Sequence, residues 1–439
     1  MTSQDKNLME KIVSLCKRRG FIFPGSEIYG GLANTYDYGH LGVELKNNIK
    51  KAWWKYFIQD RDDMVGLDGG IISNAKIWEA SGHVSGFKDL LVECKKCHRR
   101  FRPDKLEDAS KCPVCGGEFT EPRPFSLLFK VMIGPVEGDQ TLAYLRGETA
   151  QNIFVDYKNV LSSTNKKIPF GIGQIGKAFR NEITTGQFIF RTLEFEIMEI
   201  EYFINHDSDW IKIFEEWVKY IHNFADIIGL DKKKLFDHEI PDGERAFYSK
   251  RTIDMEYPFP FGKDELWAIA YRTDYDLSRH QKYSGVSMEY FDEQTGKRFI
   301  PHVIEPTFGV DRTFLAVMVE AYNEEQLENG ETRIVLKLNP NIAPYKVAVF
   351  PLLANKENLV GKAREIYTDL KKQFPTFWDD RGNIGKRYRY QDEIGTPYCI
   401  TIDFDSLGNN DVTVRNRDSM KQERVSISAL EDYLKERLK

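Results

Sequence analysis

The stretch that most narrows the fold runs from Phe170 to Ile204, where β-branched and aromatic residues alternate with polar ones on either side of Ile183-Thr-Thr-Gly-Gln187. Period-two alternation over this length predicts two long antiparallel strands joined by a loop of more than two residues. The same run contains Gly171-Ile-Gly-Gln-Ile-Gly176, the GxGxxG string of dinucleotide-binding folds. That string should open a helix after a buried parallel strand, yet here Lys-Lys-Ile-Pro precedes it and Lys-Ala-Phe-Arg-Asn-Glu follows. With no apolar helical stripe after it, no dinucleotide site is expected. The chain also lacks a GxxxxGK[ST] string, so any handling of ATP proceeds without a P-loop.

Helical periodicity appears around this run. Leu8, Ile12, Val13 and Cys16 predict a short amphipathic helix that stops at Gly20, and Leu45, Ile49, Ala52, Trp53, Tyr56 and Phe57 give the 41–59 segment one broad aromatic face. Such a face packs against a core or a partner subunit. Another helix begins at Arg312 and runs to Tyr322, with Glu324 to Gly330 as its charged exit. From residue 346 onward, strand-like and helix-like segments alternate, which predicts a small α/β domain. The 439 residues, at ~150 per domain, predict two or three domains. The expected division is 1–91 and 121–341 for the main body, 92–120 for an insertion, and 342–439 for the C-terminal domain.

Within that insertion, Cys94-Lys-Lys-Cys97 and Cys112-Pro-Val-Cys115 stand fourteen residues apart. Two CxxC pairs can close a tetrahedron around Zn²⁺ and leave no open position, so Cys94, Cys97, Cys112 and Cys115 predict a structural zinc site. His98 is a bystander on this reading. The balance of 62 basic and 67 acidic residues excludes a wholly basic nucleic-acid binder, so such contacts must use local patches. Arg381, Lys386, Arg387 and Arg389 with Tyr388 and Tyr390 form the expected one. No apolar run reaches the ~18 residues of a spanning helix and the N-terminus has no apolar leader, so the chain is expected to remain in the cytosol, away from membranes.

Three elements carry chemistry. Phe179-Arg-Asn-Glu182 ends the first long strand. On the second, Arg191, Phe195 and Glu199 are expected on one face, with the aromatic ring and the carboxylate ~13 Å apart. Gly309-Val-Asp-Arg312 then places a guanidinium in the first turn of a helix, where phosphate oxygens are favoured.

Arg180-x-Glu182, a loop, Arg191-x-x-x-Phe195-x-x-x-Glu199, and Gly309-x-Asp-Arg312 resemble the second and third signatures of class II aminoacyl-tRNA synthetases. Leu145-Arg-Gly-Glu-Thr-Ala-Gln151, Arg272-Thr-Asp-Tyr-Asp-Leu277 and Asp392-Glu-Ile-Gly-Thr-Pro397 narrow the resemblance to the homodimeric glycyl-tRNA synthetases, over nearly the whole chain. The implied fold is α+β, a six-stranded antiparallel sheet with flanking helices, a zinc-bearing insertion and a C-terminal α/β anticodon-binding domain. The implied reaction is activation of glycine by ATP with Mg²⁺, then transfer to the 3′ end of tRNA for glycine.

By the same resemblance Arg180 grips the α-phosphate, Glu182 and Phe195 hold the adenine, and Arg191 and Arg312 bind the γ-phosphate. Asn181, Phe190, Glu265, Leu266 and Gly309 complete the ATP site. Arg102, Glu148, Glu199, Arg272, Glu305 and Thr307 surround glycine. The chain departs from the usual pattern at His40, Ser126, Gly147, Ala268 and Thr307. An alternative is a non-catalytic, nucleic-acid-binding relative, but such proteins lose phosphate arginines that this chain keeps.

Overall fold

The computed structural model describes residues 3–106, 108–136, 138–183 and 186–438. Helix α1 (Ser3–Arg19) ends where Gly20 takes φ +79°, and α2 (His40–Trp54) passes into a π turn through Gln59. Strand β1 (Met64–Gly66) and helix α3 (Ala150–Thr164) precede the predicted pair, β2 (Phe170–Phe179) and β3 (Glu194–Ile204). Thr184 and Thr185 of the joining loop lie outside the described residues. There follow α4 (Trp210–Ile228), β4 (Phe236–Glu239), β5 (Arg251–Phe259), β6 (Gly262–Thr273), α5 (Tyr275–Ser284), β7 (His302–Gly309) and α6 (Val310–Ala321).

The sheet order is β4-β5-β6-β7-β3-β2-β1. Every neighbouring pair is antiparallel except β1 with β2, so the implied six-stranded antiparallel sheet carries a seventh, parallel strand at its edge. Alternation sorts the side chains. Met198, Ile200, Tyr202 and Ile204 of β3 enter the main core with Trp267 and Ile269 of β6 and Ile304 and Phe308 of β7. Helices α2, α4 and α6 cover that face. In α4, Asp209 caps the first turn through the Lys212 N–H, Phe214, Trp217, Val218 and Ile221 recur at helical spacing, and Gly229 ends the helix in the left-handed region. Each buried aromatic ring stabilises the body by ~2–3 kcal/mol relative to exposure.

The opposite face is closed at one end by Ile153, Phe154 and Tyr157 of α3 and Leu277 of α5 packing on Phe170, Ile172 and Phe203. Its other end is open. The GxGxxG string lies inside β2, as its context implied, and its glycines admit close neighbours. A Cβ at Gly173 would stand 2.3 Å from Ile58, and one at Gly176 would stand 2.0 Å from the Arg146 guanidinium.

The predicted charged exit after α6 is instead a hairpin, Tyr322–Gln326 with Thr332–Leu336. Ion pairing explains the difference: fully buried Arg333 donates to Glu325 across the hairpin and to Asp392. Asp392 also accepts from Arg415, which ties the hairpin to the C-terminal unit. That unit contains β8 (Val347–Pro351), α7 (Glu357–Leu370), β9 (Thr376–Trp378), α8 (Ile384–Ile394), β10 (Tyr398–Ile402), β11 (Asp411–Asn416), β12 (Gln422–Ser426) and α9 (Leu430–Arg437). Its strands run in the order β9-β8-β10-β11-β12.

Candidate active site

On the open half of the sheet lies a cleft of about 460 Å³, floored by β3, β6 and β7. Its two ends differ in charge.

Arginines furnish one end. Arg312 stands in the first turn of α6, pairs with the Glu265 carboxylate at 2.8 Å, donates to the Glu265 carbonyl at 2.9 Å and lies 4.4 Å over the Phe190 ring. Burial alone would raise the Glu265 carboxyl, but Arg312, Arg180 and Arg191 outweigh it and hold the group below its ordinary range. Arg180 leaves the end of β2, where its Nε donates to the Gly147 carbonyl at 3.0 Å and its cation stands 5.3 Å over Phe195. Glu182, Phe190, Arg191, Phe195, Glu265, Leu266 and Gly309 all line the cleft with these arginines.

Arg191 reaches it by an unexpected route. It was expected on the strand face of Phe195 and Glu199, but β3 starts only at Glu194. Gln187 and Phe188, both at positive φ, turn the chain so that Ile189 and Phe190 enter the core, and Arg191 follows from that turn, 3.5 Å from Glu182. Asn181 is not in the cleft wall; its main-chain N–H donates to the Leu127 carbonyl.

Asp254 also lines this end, and burial together with the nearby Glu265 charge pushes its carboxyl up to about 7. Asp254, Glu265 and Glu182 bring carboxylate oxygens to this end beside the arginines, the ligand type a hard divalent cation such as Mg²⁺ takes.

Carboxylates furnish the other end. Register sets Thr307 between Glu199 on β3 and Ala268 on β6, and sets Glu305 opposite Ala270. The Oε2 of Glu199 accepts from Thr149 N–H (2.6 Å), Thr149 Oγ1 (2.5 Å) and Ala150 N–H (3.0 Å) at the head of α3, which leaves Oε1 for a ligand. Burial raises the Glu199 carboxyl, and the Glu148 charge adds to it. For Glu148 burial is outweighed by His83, 3.3 Å away, and Arg272, so its carboxyl is held well below the usual range.

Arg272 lies behind the cleft wall rather than in it. Fully buried, it gives Nη1 to both Glu305 oxygens at 2.9 Å, gives Nε and Nη2 to Asp276, and stacks 3.7 Å from the Tyr248 ring. Arg102 is also outside the wall, paired with Asp89 and Asp104 at 2.8 Å each, and it acts on Glu182 only through its field. Asp276, Tyr248 and His83 were missed. Arg272 stands at the end of β6 and Asp276 in the first turn of α5, so a strand-to-helix turn four residues long brings the pair together; nothing in the sequence marks the other two.

In the insertion, the four cysteine sulfurs lie within 4.8 Å of one another, with Cys97 and Cys112 at 3.7 Å. Thiolates bound to one zinc stand about 3.8 Å apart, so the cluster fits a closed tetrahedral site. The main-chain N–H groups of Lys96 and Cys97 point at Cys94 Sγ (3.4 and 3.5 Å), and His98 turns outward to Glu93. Metal analysis is expected to find about one zinc per chain, and Cys112→Ser is expected to lose it and expose residues 92–120 to protease. Fully active, zinc-free protein with that segment still protected would rule this out.

The expected C-terminal basic patch is only partly formed. Arg387 is buried and donates to the carbonyls of Pro351, Arg381 and Gly382, so it braces the fold. Tyr388 bonds Thr401, Tyr390 packs beneath Arg19, and Arg389 pairs with Glu331, which leaves Arg381 and Lys386 exposed.

A sheet of this topology, with arginines at one end of its cleft and carboxylates at the other, is matched over residues 136–322 by the model of the tRNA synthetase class II core domain (G, H, P, S and T). Residues 346–437 match the anticodon binding domain. The glycine–tRNA ligase of Clostridium acetobutylicum is 51% identical over 99% of this chain and 100% of its own length. Those of Caldanaerobacter subterraneus and Thermobifida fusca are each 52% identical, over 99% and 98% of both chains. The chain belongs to the glycine–tRNA ligase family. Among the described residues no helix is long and apolar enough to cross a membrane.

Proposed function

We propose that this chain ligates glycine to its tRNA in two steps, forming glycyl-adenylate and pyrophosphate from glycine and ATP and then passing glycine to the tRNA 3′ end. The carrying observation is one cleft with Arg180, Arg191 and Arg312 at one end and Glu148, Glu199 and Glu305 at the other. The glycine carboxylate must attack an α-phosphate that is itself anionic. Fixed guanidinium groups offset that repulsion most as charge builds in the transition state. Arg180, the arginine of that end nearest the glutamates, meets both anions; Arg191 and Arg312 take the terminal phosphate, and Phe195 and Glu182 take the adenine.

Glu265 and Asp254 would hold Mg²⁺, which would supply neutralisation of the phosphate charge. Zinc in the Cys₄ cluster is structural. Glycine has no side chain to recognise, so selection works by exclusion, with Thr307 and Ala268 crowding the space a Cβ would need while the glutamates fix the ammonium. Exposed Phe23, Ile28, Tyr29, Leu32 and Val43, on the segment leading into α2 and its first turn, supply the apolar surface for a homodimer. The C-terminal unit takes the anticodon.

ATP–pyrophosphate exchange measured with each amino acid in turn is expected to respond to glycine alone. In Glu199→Gln, kcat/KM for glycine is expected to fall about 10²-fold, a charge-assisted hydrogen bond being worth ~3 kcal/mol, with KM for ATP little changed. Exchange with alanine as fast as with glycine, or parental glycine kinetics in the variant, would overturn the assignment.

A further inference from the structure

Strand β3 carries one more carboxyl than the glycine end of the cleft uses. Glu201 lies two residues beyond Glu199 on the same sheet face, is fully buried, and has no hydrogen-bond partner at either oxygen. The register that sets Glu199 opposite Thr307 and Tyr202 opposite Ile304 brings Glu201 level with Glu305. Opposed Cβ atoms on neighbouring strands lie ~5 Å apart, where two charged carboxylates repel. The cation that could reconcile them is spent, because Arg272 gives its donors to Glu305 and Asp276.

The other groups around the pair are Glu199 on β3, Glu148 at the head of α3, Asp276 and His280 on α5, His83 from the segment before the insertion, and Tyr248 over Arg272. None donates to Glu201. Beside it on the same sheet face stand apolar Ile172, its partner on β2, and Phe203 and Val303, the next pair along. A bare carboxylate there is costly unless it keeps a proton. Burial, with Glu305 and Glu199 adding and Arg272 opposing, holds Glu201 well above the ordinary range, and burial pushes Glu305 up to about 8 against Arg272.

We propose that Glu201 and Glu305 share one proton while the cleft is empty and that the ammonium group of the amino acid displaces it, which makes Glu201 a positioning residue that sets the charge of the site. One carboxylic O–H bond breaks, the proton passes to solvent, and the cluster gains one negative charge as one positive charge enters. The inference rests on the reading that Glu148, Glu199 and Glu305 receive that ammonium.

Calorimetry with a non-hydrolysable glycyl-sulfamate analogue of the adenylate, at pH 6.5 in buffers of different ionisation enthalpy, tests it. Wild-type enzyme is expected to release about one proton per site, and kcat/KM for glycine in exchange to rise close to tenfold per pH unit from 6 to 7.5. Glu201→Gln is expected to flatten that slope and release less than about a third as many protons. Buffer-independent heat in the wild type, or unchanged release in the variant, overturns the shared proton. Should the variant fail to fold, the wild-type heat and slope still decide. A hydroxyacetyl analogue, which lacks the ammonium, separates the two readings: if it binds as tightly as the glycyl one, the ammonium assignment itself fails.

Discussion

Replacing Arg180 by alanine is expected to slow glycine-dependent pyrophosphate exchange about 10³-fold, the cost of one preorganised donor aimed at transition-state charge. Its side chain is held before any ligand arrives: Nε is fixed on the Gly147 carbonyl, and the cation lies between the Phe87 and Phe195 rings, 5.1 and 5.3 Å from their centres. That mooring leaves the two terminal nitrogens to face the cleft. Lysine restores charge without the planar fork, so Arg180→Lys should recover less than a tenth of the lost rate. Rapid-quench measurement of adenylate formation separates this from a binding defect, and a loss of less than tenfold in Arg180→Ala would remove the residue from its assigned role.

Arg272→Met is expected to damage stability as much as activity. The guanidinium is the counter-charge for Asp276 and Glu305, all three buried, and removing one member of such a set costs ~3–5 kcal/mol because the remaining charges have no solvent. The sign of the pH effect follows from Glu305, whose carboxyl burial already pushes up to about 8. A carboxyl raised on folding contributes stability that is complete below its unfolded value and is lost as pH rises through the folded one. Without Arg272 the Glu305 carboxyl rises further, so the drop in melting temperature relative to the parent should be small near pH 5.5 and larger at pH 8.5. A drop independent of pH would mean that lost packing on Tyr248 and Phe154, not charge, sets the cost.

Local order was the legible part of this molecule. Alternation in 170–204 gave both long strands, and the 3.6-residue spacing of Phe314, Leu315 and Met318 gave α6 with Arg312 in its first turn. Glu199 and Phe195 share a strand face because period two is a property of the backbone. Arg191 does not, since the positive φ values at Gln187 and Phe188 that break the strand are set by core packing of Ile189 and Phe190, which has no period. Helix α8 is not legible because Lys386, Arg387 and Arg389 with their tyrosines suggest a nucleic-acid-binding patch, whereas Arg387 is folded inward to satisfy carbonyls on other segments. Likewise His83 and Tyr248 join the glutamate cluster through contacts across the fold, which spacing along the chain does not encode.

The position of β7 in the sheet also bears on how the molecule is made. Strands β2 and β3 can pair as soon as both have left the ribosome, and so can β5 and β6, since each pair is adjacent in the chain. Strand β7 joins the two halves but is synthesised after both, so a nascent chain ending before His302 carries two half-sheets with bare edges at β3 and β6. Such edges, flanked by Met198, Ile200, Trp267 and Ile269, invite pairing with other chains until β7 inserts between them. The same insertion sets Thr307 beside Glu199 and Ala268, so closing the sheet and completing the substrate cleft are one event in biogenesis.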